Sequence, residues 1–357
     1  MPWTAGLVRH SIYVKILLMT TQEPLRSIGD ADAALSRYAA LLHREITRTW
    51  EDDGDSLAAM ALYALGAPGK MLRPVLLLES ALAVGGQLEH VLPAAVGTEC
   101  GHAASLTHDD IIDGDETRRG RPAVHRRFGV DDAIVVGDAL IFQLFLGLAR
   151  CRHSGVAGER IAAALEVVAT AGVRLCRGQL LESEISVRQH CSVDTYLEMI
   201  AMKTAALFQG TCMSGAILAG AQEPLCAALG RYGRELGIAF QIADDLLPYL
   251  SSDETTGKPS SSDVRNRRLT LPIILAKEAA GPADLAALSM AFGGTMPAGE
   301  ALGAVRGVLE RTRAITRSVR VAVAHADEAQ RALGDLPASA SRERLAAFAR
   351  YAVTRQS

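Results

Sequence analysis

The sequence predicts an all-α fold: a single helical domain built around a central cavity. Three observations carry this. Hydrophobic residues make up 49% of the chain but aromatics only 4%, and Ala and Leu dominate, a composition that suits helices packed on helices better than sandwiched strands. Apolar residues recur at spacings of three and four in segment after segment between Asp30 and Arg355, the signature of one-sided helices. No stretch of useful length alternates apolar and polar, and there is no fixed-period repeat or heptad run. The length of 357 residues is enough for one large domain or two ordinary ones, and no long polar linker splits the chain.

Taken in order, the periodicity predicts helices over 33–50, 56–65, 74–84, 91–112, 131–150, 158–186, 193–220, 223–249, 271–279 and 300–333. Gly66-Ala67-Pro68-Gly69 punctuates the second and third, and Pro74 suits a first helical turn. A polar, Ser-rich loop covers 251–268, and Pro282 to Pro297 is less regular. Pro248 cannot donate to the carbonyl of Asp244, so the helix over 223–249 is expected to end or kink there. Residues 1–29 are expected to be a disordered leader before a domain at 30–357, with Met19 a usable alternative start. Its apolar patch is broken by Arg9, His10 and Lys15, too short and charged to span a bilayer, and it lacks a signal-peptidase site. No transmembrane segment is expected. A net charge of −3 gives no bias toward nucleic acid or anionic membrane. Six scattered cysteines without a C-x-x-C pair read as buried thiols of a reducing cytoplasm.

The chemistry concentrates at two helix ends. His108-Asp109-Asp110-Ile111-Ile112-Asp113 closes an apolar helix, and Arg118-Arg119-Gly120 follows. Asp109 and Asp113 are four apart and share a face. Such like charge calls for a cation, and Mg²⁺ is typically held by one or two carboxylates plus substrate phosphates. The arginine fork then fits the same phosphates. The alternative is a solvated acidic end with a basic loop, but solvated faces seldom follow so apolar a segment. Counting back, Ser105 or Leu106 and then His102 lie on the aspartate stripe. The second end, Phe240-Gln241-Ile242-Ala243-Asp244-Asp245, repeats the pattern and runs into a loop holding Lys258, Arg265, Arg267 and Arg268. Two acidic ends with basic followers suggest a metal–phosphate site clamped from two sides. Lys70 and Arg73 enter a helix N-terminus, a good anion site. Lys203-Thr204 and Gln179 with Glu182 are polar intrusions into apolar helices.

These residues resemble the trans-isoprenyl diphosphate synthases, the polyprenyl synthetases, over about residues 35–355. The likeness rests on Gly69-Lys70-x-x-Arg73-Pro74, Asp109-Asp110-x-x-Asp113, Arg118-Arg119-Gly120, Gly178-Gln179, Lys203-Thr204, Phe240-Gln241-x-x-Asp244-Asp245, Gly257-Lys258-Pro259 and Thr270-Leu271-Pro272. The resemblance implies an all-α bundle of the isoprenoid synthase type with a deep apolar tunnel, a homodimer, and Mg²⁺, three ions with bound diphosphate. It assigns Asp109, Asp110, Asp113 and Asp244 to the metal. Arg118, Lys203 and Lys258 would neutralise an allylic diphosphate, with Thr204 and Gln241 beside them. Lys70, Arg73, His102 and Arg119 would bind isopentenyl diphosphate, with Phe240 against its hydrocarbon part. The implied reaction is ionisation to an allylic cation, attack by the isopentenyl double bond, and proton loss, giving a trans-polyprenyl diphosphate.

Position 248 departs from the family, whose second motif usually carries a third aspartate there; Asp253 is a candidate substitute from the loop. Ala104 and Ser105, small residues below Asp109, argue against the shortest products, and Ile141, Phe142 and Phe145 are candidates for a tunnel floor on a facing helix. The expected product is geranylgeranyl diphosphate, the alternatives a farnesyl or longer chain. A terpene cyclase on the same fold would not need Lys70, Arg73 or Arg119. A non-catalytic subunit of a heteromeric synthase would need support beyond Pro248.

Overall fold

The computed structural model describes residues 24–51, 54–66, 69–250, 268–293 and 296–354. In chain order these form α1 (Pro24–Glu51), α2 (Ser56–Leu65), α3 (Leu72–Ala83), α4 (Leu88–Asp113), a hairpin of β1 (Thr117–Arg118) and β2 (Arg121–Pro122), α5 (Val124–Phe128), α6 (Val130–Arg150), α7 (Gly158–Arg188) and α8 (Val193–Ile200). A π turn over Ala201–Ala205 leads into α9 (Ala206–Ala219). Then come α10 (Glu223–Leu250), α11 (Leu271–Ala279), α12 (Pro282–Phe292), α13 (Ala298–Arg311), α14 (Ala314–Ala332) and α15 (Ala340–Thr354). The all-α expectation is met.

Burial follows the apolar period. In α1 the buried residues Ala31, Leu35, Tyr38, Leu42, Ile46 and Trp50 form one stripe at spacings of three and four. They join α2, α3, α4, α6, α9 and α15 in one core, while α8, α11, α12, α13 and α14 build a second. The helix α10 belongs to both: Leu229, Tyr232 and Leu236 pack in the first, and Ile238, Ile242 and Leu246 in the second. Its buried run thus fixes where its acidic end points. The backbones of α4 and α6 meet at glycines: a Cβ on Gly97 would lie 2.8 Å from the Leu144 carbonyl and 3.2 Å from Gly147 Cα. Such close approach needs residues without side chains.

Several boundaries differ from the sequence reading. α1 starts at Pro24, inside the expected leader, and residues 1–23 lie outside the described residues. The less regular stretch after Pro282 contains α12, with Pro at its first position. The single helix expected over 300–333 is two, divided where Arg313 takes φ +54. α10 neither ends nor breaks at Pro248 but continues to Leu250. Only one hydrogen bond, in the last turn, is lost there, and the Pro248 carbonyl accepts from Arg306 at 2.6 Å.

The basic loop after α4 is a two-residue hairpin. Thr117 pairs Pro122 and Arg118 pairs Arg121, leaving Arg119 (φ +51) and Gly120 (φ +74) as its turn. Positive φ at both central positions is the turn that matches strand twist, and Gly120 supplies it cheaply. Tyr63 of α2 pins the hairpin. Its hydroxyl donates to the Pro122 carbonyl at 2.8 Å, and the Arg121 and Arg127 guanidiniums stack over its ring at 4.2 and 4.3 Å.

Candidate active site

Both acidic clusters stand near helix C-termini, the negative end of the helix dipole, where carboxylates are unfavourable. On α4, Gly114 in the left-handed conformation closes the helix (φ +65) right after Asp113. Asp109 and Asp113 from α4 and Asp244 from α10 line one cavity of about 340 Å³, with Arg118, Lys203 and Arg268 among them. Burial pushes the Asp109 carboxyl upward; Lys203 opposes this, and the like charges of Asp113 and Glu182 add to it. A desolvated carboxylate among other carboxylates is what a cation would relieve.

The neighbouring aspartates behave differently. Asp110 is 2% exposed and does not line the cavity. Both its oxygens accept from Arg118 Nε, at 2.9 and 3.2 Å, and it takes a further bond from the guanidinium Nη2. Asp245 is also buried, accepting from the Tyr196 hydroxyl at 2.6 Å and from the Gln241 amide at 2.7 Å. Asp244 is exposed. One carboxylate of each pair is thus tied to side chains: Asp110, off this cavity, to Arg118, and Asp245, on its wall, to Tyr196 and Gln241. Asp110, expected among the metal residues, pairs with Arg118 here, as Asp113 pairs with Arg268.

The wall between the two acidic ends is the π turn carrying Lys203 and Thr204. Such bulges re-aim side chains and recur at functional sites. Its approach to α7 requires Gly178, since a Cβ there would collide with the Lys203 backbone nitrogen. Lys203 Nζ pairs with Glu182 at 2.5 Å, and Arg268 Nη2 with Asp113 at 2.5 Å. Thr204 donates to Gln241 Oε1 at 2.7 Å.

A second cationic group lies beside the first. Arg73 and Arg119 line the same cavity, with His102 between them and the apolar wall of Leu106, Leu207 and Phe240. Gly69 leaves room for Arg119, because a Cβ there would strike its guanidinium. Arg73 Nη1 lies 3.1 Å from His102 Nε2. A guanidinium only donates, so this nitrogen accepts. Burial, followed by Arg73 and Arg119, holds the His102 pKa well below its usual value. His102 thus supports Arg73 through its ring nitrogen and stays on the cavity wall where a diphosphate-binding role was expected. Glu99, one turn earlier and 6% exposed, faces the same arginines; burial raises its pKa, and Arg73 and Arg119 pull it down. Phe240 packs on Phe208 at 5.3 Å, and Arg73 lies over Phe208 at 4.4 Å.

Other expected residues fall elsewhere. Lys70 is not among the cavity-lining residues; its ammonium lies 5.2 Å over the Tyr351 ring. Lys258 and Asp253 lie outside the described residues. Phe142 is 68% and Ile141 37% exposed, so neither closes a tunnel within this chain. Ser105 does line the cavity, its hydroxyl donating to the His102 carbonyl at 2.8 Å. Glu182, Tyr196 and Glu99 were not predicted as site residues. Glu182 was visible as a polar intrusion, whereas nothing local in the sequence marks the other two.

The donor set fits Mg²⁺. Asp109, Asp113 and Asp244 offer oxygens from two sides of an open cavity. Mg²⁺ is typically held by one or two carboxylates, with substrate phosphates completing its shell.

Comparison with known proteins agrees. The polyprenyl synthetase family model matches residues 55–302. A short chain isoprenyl diphosphate synthase of Methanothermobacter thermautotrophicus is 36% identical over 325 residues, 90% of this chain and 98% of its own. A geranylgeranyl diphosphate synthase of Methanosarcina mazei is 36% identical over 264 residues, covering 74% and 78%. The crystal structure of geranylgeranyl pyrophosphate synthetase from Pyrococcus horikoshii superposes with a TM-score of 0.84 at 34% identity, covering 92% of this chain and 99% of that one. The chain belongs to the polyprenyl synthetase family, the trans-prenyl diphosphate synthases.

Proposed function

We propose that this protein condenses isopentenyl diphosphate with an allylic diphosphate in a Mg²⁺-dependent reaction and releases geranylgeranyl diphosphate. One observation carries the reading: carboxylates on two helices face each other across a cavity whose apolar wall also bears a separate pair of arginines. That is room for two diphosphates, one on the acidic side and one on Arg73 and Arg119.

Bound Mg²⁺ would neutralise charge building on the leaving diphosphate. Asp109, Asp113 and Asp244 would hold it. Arg118 and Lys203 add donors to the same diphosphate, preorganised where charge develops. For Lys203 this requires exchanging Glu182 for phosphate. The reaction breaks the allylic carbon–oxygen bond, joins that carbon to the isopentenyl double bond, and expels a proton. The apolar wall of Leu106, Leu207 and Phe240 excludes water that would otherwise trap the cation. Small Ala104 and Ser105 beneath Asp109 favour chains longer than the shortest, and the relatives named for geranylgeranyl diphosphate support that length.

The protein is further proposed to work as a cytoplasmic homodimer. Its six cysteines are unpaired. α6 exposes Val135, Phe142 and Leu146, and α7 exposes Val173, Leu180 and Val187 at seven-residue spacing, large apolar side chains of the kind an interface covers. Val130–Ser154 is the one described helix long and apolar enough to cross a membrane, and in this fold it packs along α4.

The test is product analysis of purified protein with Mg²⁺, isopentenyl diphosphate and each of dimethylallyl, geranyl and farnesyl diphosphate. A twenty-carbon product supports the reading. No elongation of any primer by folded protein overturns it in favour of a subunit that needs a partner.

A further inference from the structure

Three hydrogen bonds tie the acidic end of α10 to the π turn on one side and to α8 on the other. Thr204 donates to Gln241 Oε1 at 2.7 Å, Gln241 Nε2 donates to Asp245 Oδ1 at 2.7 Å, and the Tyr196 hydroxyl donates to Asp245 Oδ2 at 2.6 Å. Every polarity is forced. An ionised carboxylate only accepts, so the amide must turn its nitrogen to Asp245 and its oxygen to the hydroxyl of Thr204. Tyr196 is 1% exposed and Asp245 9%, and burial to this degree strengthens each bond.

Two cavity groups are adjacent in sequence to links of this chain. Asp244 neighbours Asp245, and Lys203 neighbours Thr204. The three bonds thus link the backbone segments that carry the carboxylate and the ammonium. Pro248 sharpens the dependence, because no carboxylate follows Asp244 one turn later to share its task.

We propose that Tyr196, whose hydroxyl is committed to Asp245, is a positioning residue for the metal–diphosphate site, acting through Asp245 and Gln241 to hold Asp244 and Lys203 at a fixed spacing. The inference rests on the synthase reading above. Outer partners that orient metal-binding carboxylates typically change metal affinity 10- to 100-fold when removed, and Tyr196→Phe removes only one hydroxyl.

The experiment is calorimetric titration of Mg²⁺ with inorganic pyrophosphate into the full-length protein, beside steady-state kinetics. For Tyr196→Phe we expect a Mg²⁺–pyrophosphate affinity weakened about tenfold or more. The Mg²⁺ needed for half-maximal rate should rise in parallel, with KM for isopentenyl diphosphate within about twofold of wild type, since Arg73 and Arg119 are not in the chain. Asp245→Asn should give the same pattern, and the double variant should lose little beyond either single one, as links of one network do. If Tyr196→Phe fails to fold, Asp245→Asn carries the test. An unchanged Mg²⁺–pyrophosphate affinity in a folded variant, an equal rise in both KM values, or additive losses in the double variant would overturn the proposal. Wild-type protein that neither binds Mg²⁺–pyrophosphate nor elongates a primer would instead overturn the synthase reading itself.

Discussion

Replacing the two adjacent aspartates of the first motif one at a time should give opposite results. Asp110→Ala removes the partner of Arg118. The Asp110 side chain is 3% and the Arg118 side chain 21% exposed, and breaking a buried pair by deleting one partner costs about 3–5 kcal/mol. Arg118 keeps some solvent and has Asp115 at 3.7 Å, which places the loss near the low end, about 3 kcal/mol. For a chain of this size that corresponds to a fall in Tm of roughly 6 °C or a little less. Asp109→Ala instead removes a desolvated carboxylate that Asp113 and Glu182 repel. Metal-free stability should stay within ~1 kcal/mol of wild type or rise, while the rate with Mg²⁺ falls by about 10² or more. Thermal denaturation in a chelator, followed by product formation in Mg²⁺, reads both. The reasoning fails if Asp109→Ala is as destabilising as Asp110→Ala, or if Asp110→Ala leaves Tm unchanged.

The raised Asp109 carboxyl has a signed consequence for pH. Between its unfolded value near 3.8 and its raised folded value, the native state binds more protons than the unfolded one, so its contribution to stability falls as pH rises through that window. Metal-free wild type should therefore gain on Asp109→Asn as pH is lowered from about 7 to 4 in denaturation measurements. Ser105→Phe puts a ring into the cavity and should shorten the main product; an unchanged product from folded, active enzyme would locate the floor elsewhere. Phe142→Glu places a charge on the exposed α6 stripe and should shift the protein toward monomer in light-scattering measurements, whereas an unchanged dimer would remove that stripe from the interface.

Much of this was legible because local pattern and global fold agree. The three-and-four spacing of α1 locates its buried stripe, and an acidic run after an apolar helix marks the site without further information. The hairpin is hidden in the sequence because its strands have two residues each and its register comes from the positive-φ turn at Arg119-Gly120, which no alternation reveals. The split at Arg313 is likewise a single backbone angle within a continuing apolar period. At Pro248 the local rule was applied too strictly: a missing amide costs little in a final turn whose carbonyl Arg306 reaches from α13. The division of labour within each aspartate pair was not legible. Asp109 and Asp110 are chemically identical in the sequence, and what distinguishes them is Arg118, folded back by the hairpin. Asp245 differs from Asp244 through Tyr196, which is 49 residues away along the chain.

That division is most directly tested by a crystal structure of the protein with Mg²⁺ and an unreactive allylic diphosphate analogue. The account predicts metal ions bridging the diphosphate to Asp109, Asp113 and Asp244, with Asp110 still on Arg118 and Asp245 still on Tyr196. Metal bound directly by Asp110 or Asp245, with either anchor broken, would contradict it.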